Sequence, residues 1–132
     1  GTKDYGIAFA PDEPSSLVCY TDSDYGGCID IPKSTSGHCF KFEHGPISWR
    51  SKLQDCTATS TTLAEYIAAS DAAKEALWLG RLAVTFRQSD PTWSPVVFSD
   101  NQGAVALARK PVHHNTSKHI EVRYHFVREC IT

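Results

Sequence analysis

The stretch from Ser60 to about Phe86 constrains the fold more than any other part of the chain. It carries no proline and is dense in alanine and leucine, which predicts one long helix. Wound at about 100° per residue, it puts Asp71, Lys74, Glu75 and Arg81 on one side. Ala69, Ala72, Ala73, Ala76 and Ala83 fall on the other, a small-residue stripe suited to close packing on a sheet. Trp78 lands among the charged residues. It is either a partly exposed anchor for a neighbouring domain or a sign that the helix is phased differently.

A sheet to receive that stripe is written on either side of it. Ile7 to Ala10 reads as a short strand, followed by a loop with Pro11 and Pro14. Leu17 to Asp22 has high β-propensity and reads as a strand. His38 to Glu43 and Ile47 to Ser51 follow as two more, with His44-Gly45-Pro46 as the tight turn of an antiparallel hairpin. After the long helix, Val96 to Asp100 is a short apolar run of the kind buried in parallel sheets. Asn101 to Arg109 reads as a helix stopped by Pro111, and Thr116 or Ser117 can cap a last helix running to the end. Strands first, then helix, strand and helices, make an α/β chain of one domain in 132 residues.

Composition excludes several classes. No apolar run approaches the length of a membrane span, and no signal peptide opens the chain. Five cysteines, an odd count with no C-x-x-C pair, argue against a disulfide scaffold or a zinc ribbon and for reduced thiols in a reducing intracellular compartment. There is no phosphate-binding G-x-x-x-x-G-K-[ST] loop and no G-x-S-x-G elbow. A net charge of −2 does not advertise nucleic-acid binding, but carboxylates gathered to hold divalent metal would produce that bias. The absence of methionine and the start at Gly1 suggest a piece of a longer polypeptide.

Three acids stand where such a fold would converge them. Period-two alternation puts Asp22 on one strand face with Val18 and Tyr20, where it is expected to be partly desolvated. Glu65 leans toward the small-residue face of the long helix, a costly place for an uncompensated carboxylate. Asp100 closes the apolar strand at its C-terminal end, the edge at which open α/β sheets bind ligands. Each has a plainer reading. Asp22 can begin a turn, Glu65 can complete a capping box from Thr62, and Asp100 can cap the helix that follows. Taken together, the three favour a shared metal site. Carboxylate clusters of this kind suit phosphodiester hydrolysis, in which two Mg²⁺ ions about 4 Å apart activate water and stabilise the leaving oxygen. Mn²⁺ can substitute. Hard cations prefer such oxygen ligands, and Asp22 would bridge the two ions while Glu65 and Asp100 hold or share them.

Several motifs carry a resemblance. Tyr20-Thr21-Asp22-Ser23-Asp24, Lys33-Ser34-Thr35-Ser36-Gly37 and Ile47-Ser48-Trp49-Arg50-Ser51-Lys52 resemble the start of the ribonuclease H domains of copia-type retrotransposon Pol polyproteins. Ser60-Thr61-Thr62-Leu63-Ala64-Glu65-Tyr66 is similar to that family's S-T-x-E-A-E-Y helix start, and Ser99-Asp100-Asn101-Gln102 to its D-N-Q segment. Ser117-Lys118-His119-Ile120-Glu121-Val122-Arg123-Tyr124-His125-Phe126 resembles its T-K-H-I-D-x-R-Y-H-F signature.

The resemblance implies a ribonuclease H-like mixed sheet of five strands with flanking helices, and cleavage of the RNA strand of RNA–DNA hybrids during reverse transcription. Its active-site acids map onto Asp22, Glu65 and Asp100. It also implies that residues 1–14 link to a preceding reverse transcriptase domain, a partner in the same polyprotein, and that the setting is cytoplasmic, within virus-like particles. The family's fourth aspartate, in an A-D-x-x-T-K segment, and its fifth strand would lie beyond Thr132, leaving the Val96 to Asp100 strand as an edge. Leu63 stands where the family has Glu, which removes a capping box begun by Ser60.

Hybrids are recognised by shape and by 2′-hydroxyls across the minor groove. Thr61, Thr62, Asn101 and Gln102 flank the acids and are the candidate nucleic-acid contacts. Lys33, Arg50, Lys52, Lys118 and Arg123 are weaker candidates for phosphates. The histidines, including His113-His114, His119 and His125, lack the spacing of helical metal ligands. The rival reading is a non-catalytic remnant or scaffold that keeps the fold and binds nucleic acid or the polymerase.

Overall fold

The structure, a computed structural model, describes residues 1–10, 16–28, 30–87, 94–109 and 118–131. Three strands lead: β1 (Leu17–Asp24), β2 (Thr35–Phe42) and β3 (Gly45–Leu53). Then come α1 (Thr61–Arg87), β4 (Val96–Ser99), α2 (Gln102–Arg109) and α3 (Lys118–Ile131). The sheet order is β3-β2-β1-β4, with β1–β2 and β2–β3 antiparallel and β4 parallel to β1. This is the ribonuclease H-like α/β arrangement expected, with four strands among the described residues.

Alternation along β1 and β2 defines two unlike faces. Leu17, Cys19 and Thr21 of β1 and Ser36, His38 and Phe40 of β2 are buried. Ala72, Ala76 and Leu79 of α1 pack on Leu17, Cys19 and Phe40, so the alanine stripe does lie on the sheet. Burial pushes the Cys19 thiol up to about 12. All five cysteines are free. The opposite face is open, and there Tyr20 stacks on Phe98 with ring centroids 5.6 Å apart.

α1 is covered on a second side. Leu63, Ala64 and Ile67 meet Ile120 of α3 and Ala58 of the loop before α1. Tyr66 packs with Ala104 of α2 and Val127 of α3. Leu63 to Ala68 is therefore buried all round, which helical propensity alone does not require. Leu63 repays the missing capping box by joining this core. Farther along, Trp78 is 57% exposed, so the helix is phased as the charge pattern implies. Among the described residues no helix is long and apolar enough to cross a membrane.

Three details differ from expectation. Ile7 to Ala10 is not a strand: the Ala10 N–H donates to the Glu43 carbonyl of the hairpin turn at 3.1 Å, and the Ile7 and Phe9 side chains are about half exposed. The hairpin turns at Glu43–His44, not at His44-Gly45-Pro46. Both turn residues have positive φ, 46° and 67°, the paired left-handed geometry whose twist matches a two-residue hairpin. Gly45 instead begins β3, where a side chain would strike the Phe9 ring. β4 pairs in parallel with β1 as expected but is not buried: Val96, Val97 and Phe98 are each more than a third exposed, because β4 is, among the described residues, the edge strand that the resemblance implied.

Candidate metal centre

Parallel pairing of β1 and β4 puts Thr21 opposite Ser99. The next residue on each chain is an acid, so Asp22 and Asp100 emerge side by side where the two strands part. The third acid arrives from α1. Ser60 caps that helix, its Oγ accepting the Leu63 N–H at 3.1 Å, and Glu65 therefore stands in the second turn above the end of β1. Gln54 holds this junction by donating from Nε2 to the Ala64 carbonyl at 3.0 Å and to Ser36 Oγ at 2.9 Å. The result is a cluster in which one carboxylate oxygen from each of Asp22, Glu65 and Asp100 lies within 4.8 Å of the others.

The three are not equivalent. Asp22 and Asp100 are exposed, whereas Glu65 is 7% exposed. Asp22 sits on the open face of the sheet, so the desolvation expected from its Val18 and Tyr20 neighbours is absent; Glu65 carries that burden instead. Burial pushes the Glu65 carboxyl above its ordinary range, and the charges of Asp22 and Asp100 push the same way against two hydrogen bonds from Ser23. Glu65 Oε1 accepts both the Ser23 hydroxyl at 2.8 Å and the Ser23 N–H at 3.1 Å. Glu65 Oε2 is buried with no hydrogen-bond partner among the described residues.

The plainer readings of the acids fail on this geometry. Asp22 does not begin a turn, because β1 continues to Asp24. Glu65 completes no capping box from Thr62; it reaches across to β1. Asp100 does not cap α2, since Asn101 does so, its Oδ1 accepting the Ala104 N–H at 2.9 Å.

An orphaned, buried carboxylate oxygen beside two further carboxylates is costly unless a cation compensates it. An all-oxygen donor set fits hard divalent ions such as Mg²⁺ and Mn²⁺. The residues present therefore fit the group the sequence implied.

The flanking candidates divide. Thr61 and Gln102 are exposed at the first positions of α1 and α2. Thr62 is half-buried where the two helix starts abut: a Cβ on Gly103 would come 3.1 Å from its side chain. Asn101 has its oxygen committed to the cap. Among the basic candidates, Arg123 turns inward to Asp71, Lys52 pairs with Asp55, and Lys33 donates to the Asp55 carbonyl. Those contacts bind the fold together and weaken the phosphate reading for these three. His119 and His125 are exposed on α3, while His113-His114 and the Thr116 or Ser117 cap lie outside the described residues. Sequence reasoning missed Ser23. It is half-buried and continues the inward series Leu17, Cys19, Thr21, a series that alternation alone does not mark as the buried one.

The chain is 44% identical over 131 residues to the retrovirus-related Pol polyprotein from transposon TNT 1-94 of Nicotiana tabacum, covering 99% of the chain and 10% of that protein. It is 38% identical over 133 residues to the retrovirus-related Pol polyprotein from transposon RE2 of Arabidopsis thaliana, covering 99% of the chain and 9% of that protein. It is also 45% identical over 78 residues to secreted RxLR effector protein 161 of Plasmopara viticola, covering 59% of the chain and 55% of that protein. The chain thus spans about a tenth of the length of the Pol polyproteins it matches. No protein-family profile matches it.

Proposed function

We propose that this chain is the ribonuclease H segment of a copia-type retrotransposon Pol polyprotein, and that it hydrolyses the RNA strand of RNA–DNA hybrids during reverse transcription. Similarity over 99% of the chain to segments of Pol polyproteins supports the setting. The chemistry rests on one observation: Asp22, Glu65 and Asp100 bring carboxylate oxygens within 4.8 Å of one another, and Glu65 contributes a buried oxygen with no protein partner among the described residues.

In this reading Asp22, Glu65 and Asp100 would hold two divalent ions, Mg²⁺ with Mn²⁺ as substitute, which would supply Lewis-acid activation of water and charge stabilisation on the leaving oxygen. Asp22, exposed at the strand end, is the carboxylate most open to the ions. Glu65, dry and fixed, sets the inner wall of the site. Thr61, Thr62, Asn101 and Gln102 line the approach, offering short polar groups to the hybrid's sugar edges. Residues 1–14 serve as the link from the polymerase, and Trp78 is a candidate contact for that neighbour. The setting would be cytoplasmic virus-like particles.

The test is incubation with a labelled hybrid and Mg²⁺ or Mn²⁺, beside Asp22→Asn. Cleavage to 5′-phosphate and 3′-hydroxyl ends, lost in the variant, supports the enzyme. Hybrid binding without cleavage assigns the chain to the non-catalytic scaffold instead.

A further inference from the structure

We infer that Ser23 is a positioning residue, which holds Glu65 Oε1 and so leaves Oε2 as the oxygen without a protein donor in the acid cluster; this rests on the metal centre proposed above. The Ser23 hydroxyl donates to Glu65 Oε1 at 2.8 Å, and the Ser23 N–H reaches the same oxygen at 3.1 Å. That N–H also lies 2.9 Å from Asp22 Oδ1, so one residue spans two of the three acids. Two donors on a single oxygen fix both the rotation of the carboxyl group and the identity of the oxygen left over. The remaining oxygen is the buried, unpartnered Oε2.

Without the hydroxyl, Glu65 keeps one shared N–H donor and is free to turn either oxygen toward Asp22 and Asp100. Groups that orient a ligand in this way typically change metal affinity about 10–100-fold when removed. The backbone N–H survives any substitution except proline, so the hydroxyl is the separable part. Ser23→Ala removes it and Ser23→Thr retains it.

The experiment is a Mn²⁺ titration of the whole chain followed by electron paramagnetic resonance, with Ser23→Ala, Ser23→Thr and Asp22→Asn in parallel. Thermal unfolding in chelator accompanies each variant. Ser23→Ala is expected to weaken Mn²⁺ binding about 10–100-fold, Ser23→Thr to bind close to wild type, and both to unfold near the wild-type temperature. Ser23→Ala binding as tightly as wild type overturns the inference and leaves the metal centre standing. No Mn²⁺ binding by wild type, or equal binding by Asp22→Asn, overturns the centre itself and the inference with it. Should Ser23→Ala not fold, Ser23→Cys, with its long and weak donor, is judged by the same criterion.

Discussion

Arg123 Nη1 of α3 lies 2.7 Å from Asp71 Oδ1 of α1, with the arginine side chain only 16% exposed. At Asp71 the charged side of the long helix is therefore an interface with α3. Lys74 sits 3.4 Å from the same Asp71 oxygen, but it is more than half exposed and holds it less firmly.

Removing the arginine leaves a partly buried carboxylate with a weak substitute. Arg123→Ala is expected to lower stability by about 1–3 kcal/mol, through the lost charged hydrogen bond and the lost packing of its stem. Denaturant unfolding measures it. Lys74→Ala, by contrast, is expected to change little.

His38 gives the fold a pH dependence. Burial lowers its pKa from the ordinary value of 6.5 and Arg50 adds to that, while Glu75 and Asp71 oppose it. A base depressed on folding contributes stability that is full above its unfolded pKa and is lost as pH falls through 6.5 toward the folded value. Wild type should thus lose stability relative to His38→Gln on acidification below about 6.5, read as a shrinking difference in unfolding free energy. A constant difference from pH 8 to pH 5 contradicts this.

Glu65 makes the metal-free chain less stable than it needs to be. In chelator, Glu65→Gln should melt above wild type, because it keeps an acceptor for Ser23 and removes a buried charge beside two like charges. Saturating Mg²⁺ should reverse the order. Ligand at a hundred times its dissociation constant stabilises wild type by about 2.7 kcal/mol, and the variant gains far less. Differential scanning calorimetry with and without Mg²⁺ reads both.

The helix starts beside the acids are packed tightly enough to resist improvement. Gly103→Ala would ordinarily favour α2 by about 1 kcal/mol. Here the added Cβ meets Asn101 Oδ1 and Thr62 at 3.1 Å, so the variant is expected to show no gain in melting temperature. Asn101→Ala, which deletes the cap, should cost about 1 kcal/mol.

What the sequence made legible follows period and propensity. The long helix, the three leading strands and the three acids are each local patterns, and the structure has them in order. Which face of a strand is buried is not local. Val18, Tyr20 and Asp22 share a side, as alternation requires, but α1 covers the other side, and no count along β1 can show that. β4 reads as buried because Val96, Val97 and Phe98 are apolar; its exposure depends on its place at the sheet edge. The hairpin turn shifted because Gly45 looks like a turn residue, when its missing side chain in fact makes room for Phe9, a contact 36 residues away in sequence. The Ser23–Glu65 bond, 42 residues apart, is hidden for the same reason.

β4 gives the acid cluster an uneven foundation. Asp22 and Glu65 are laced together through Ser23, while Asp100 rides on a four-residue strand that borders open solvent. Slackening of that short segment would carry off one corner of the triangle and leave the other two in register. The centre is thus tied together unequally: two acids share Ser23, and the third reaches them by way of the β1–β4 pairing.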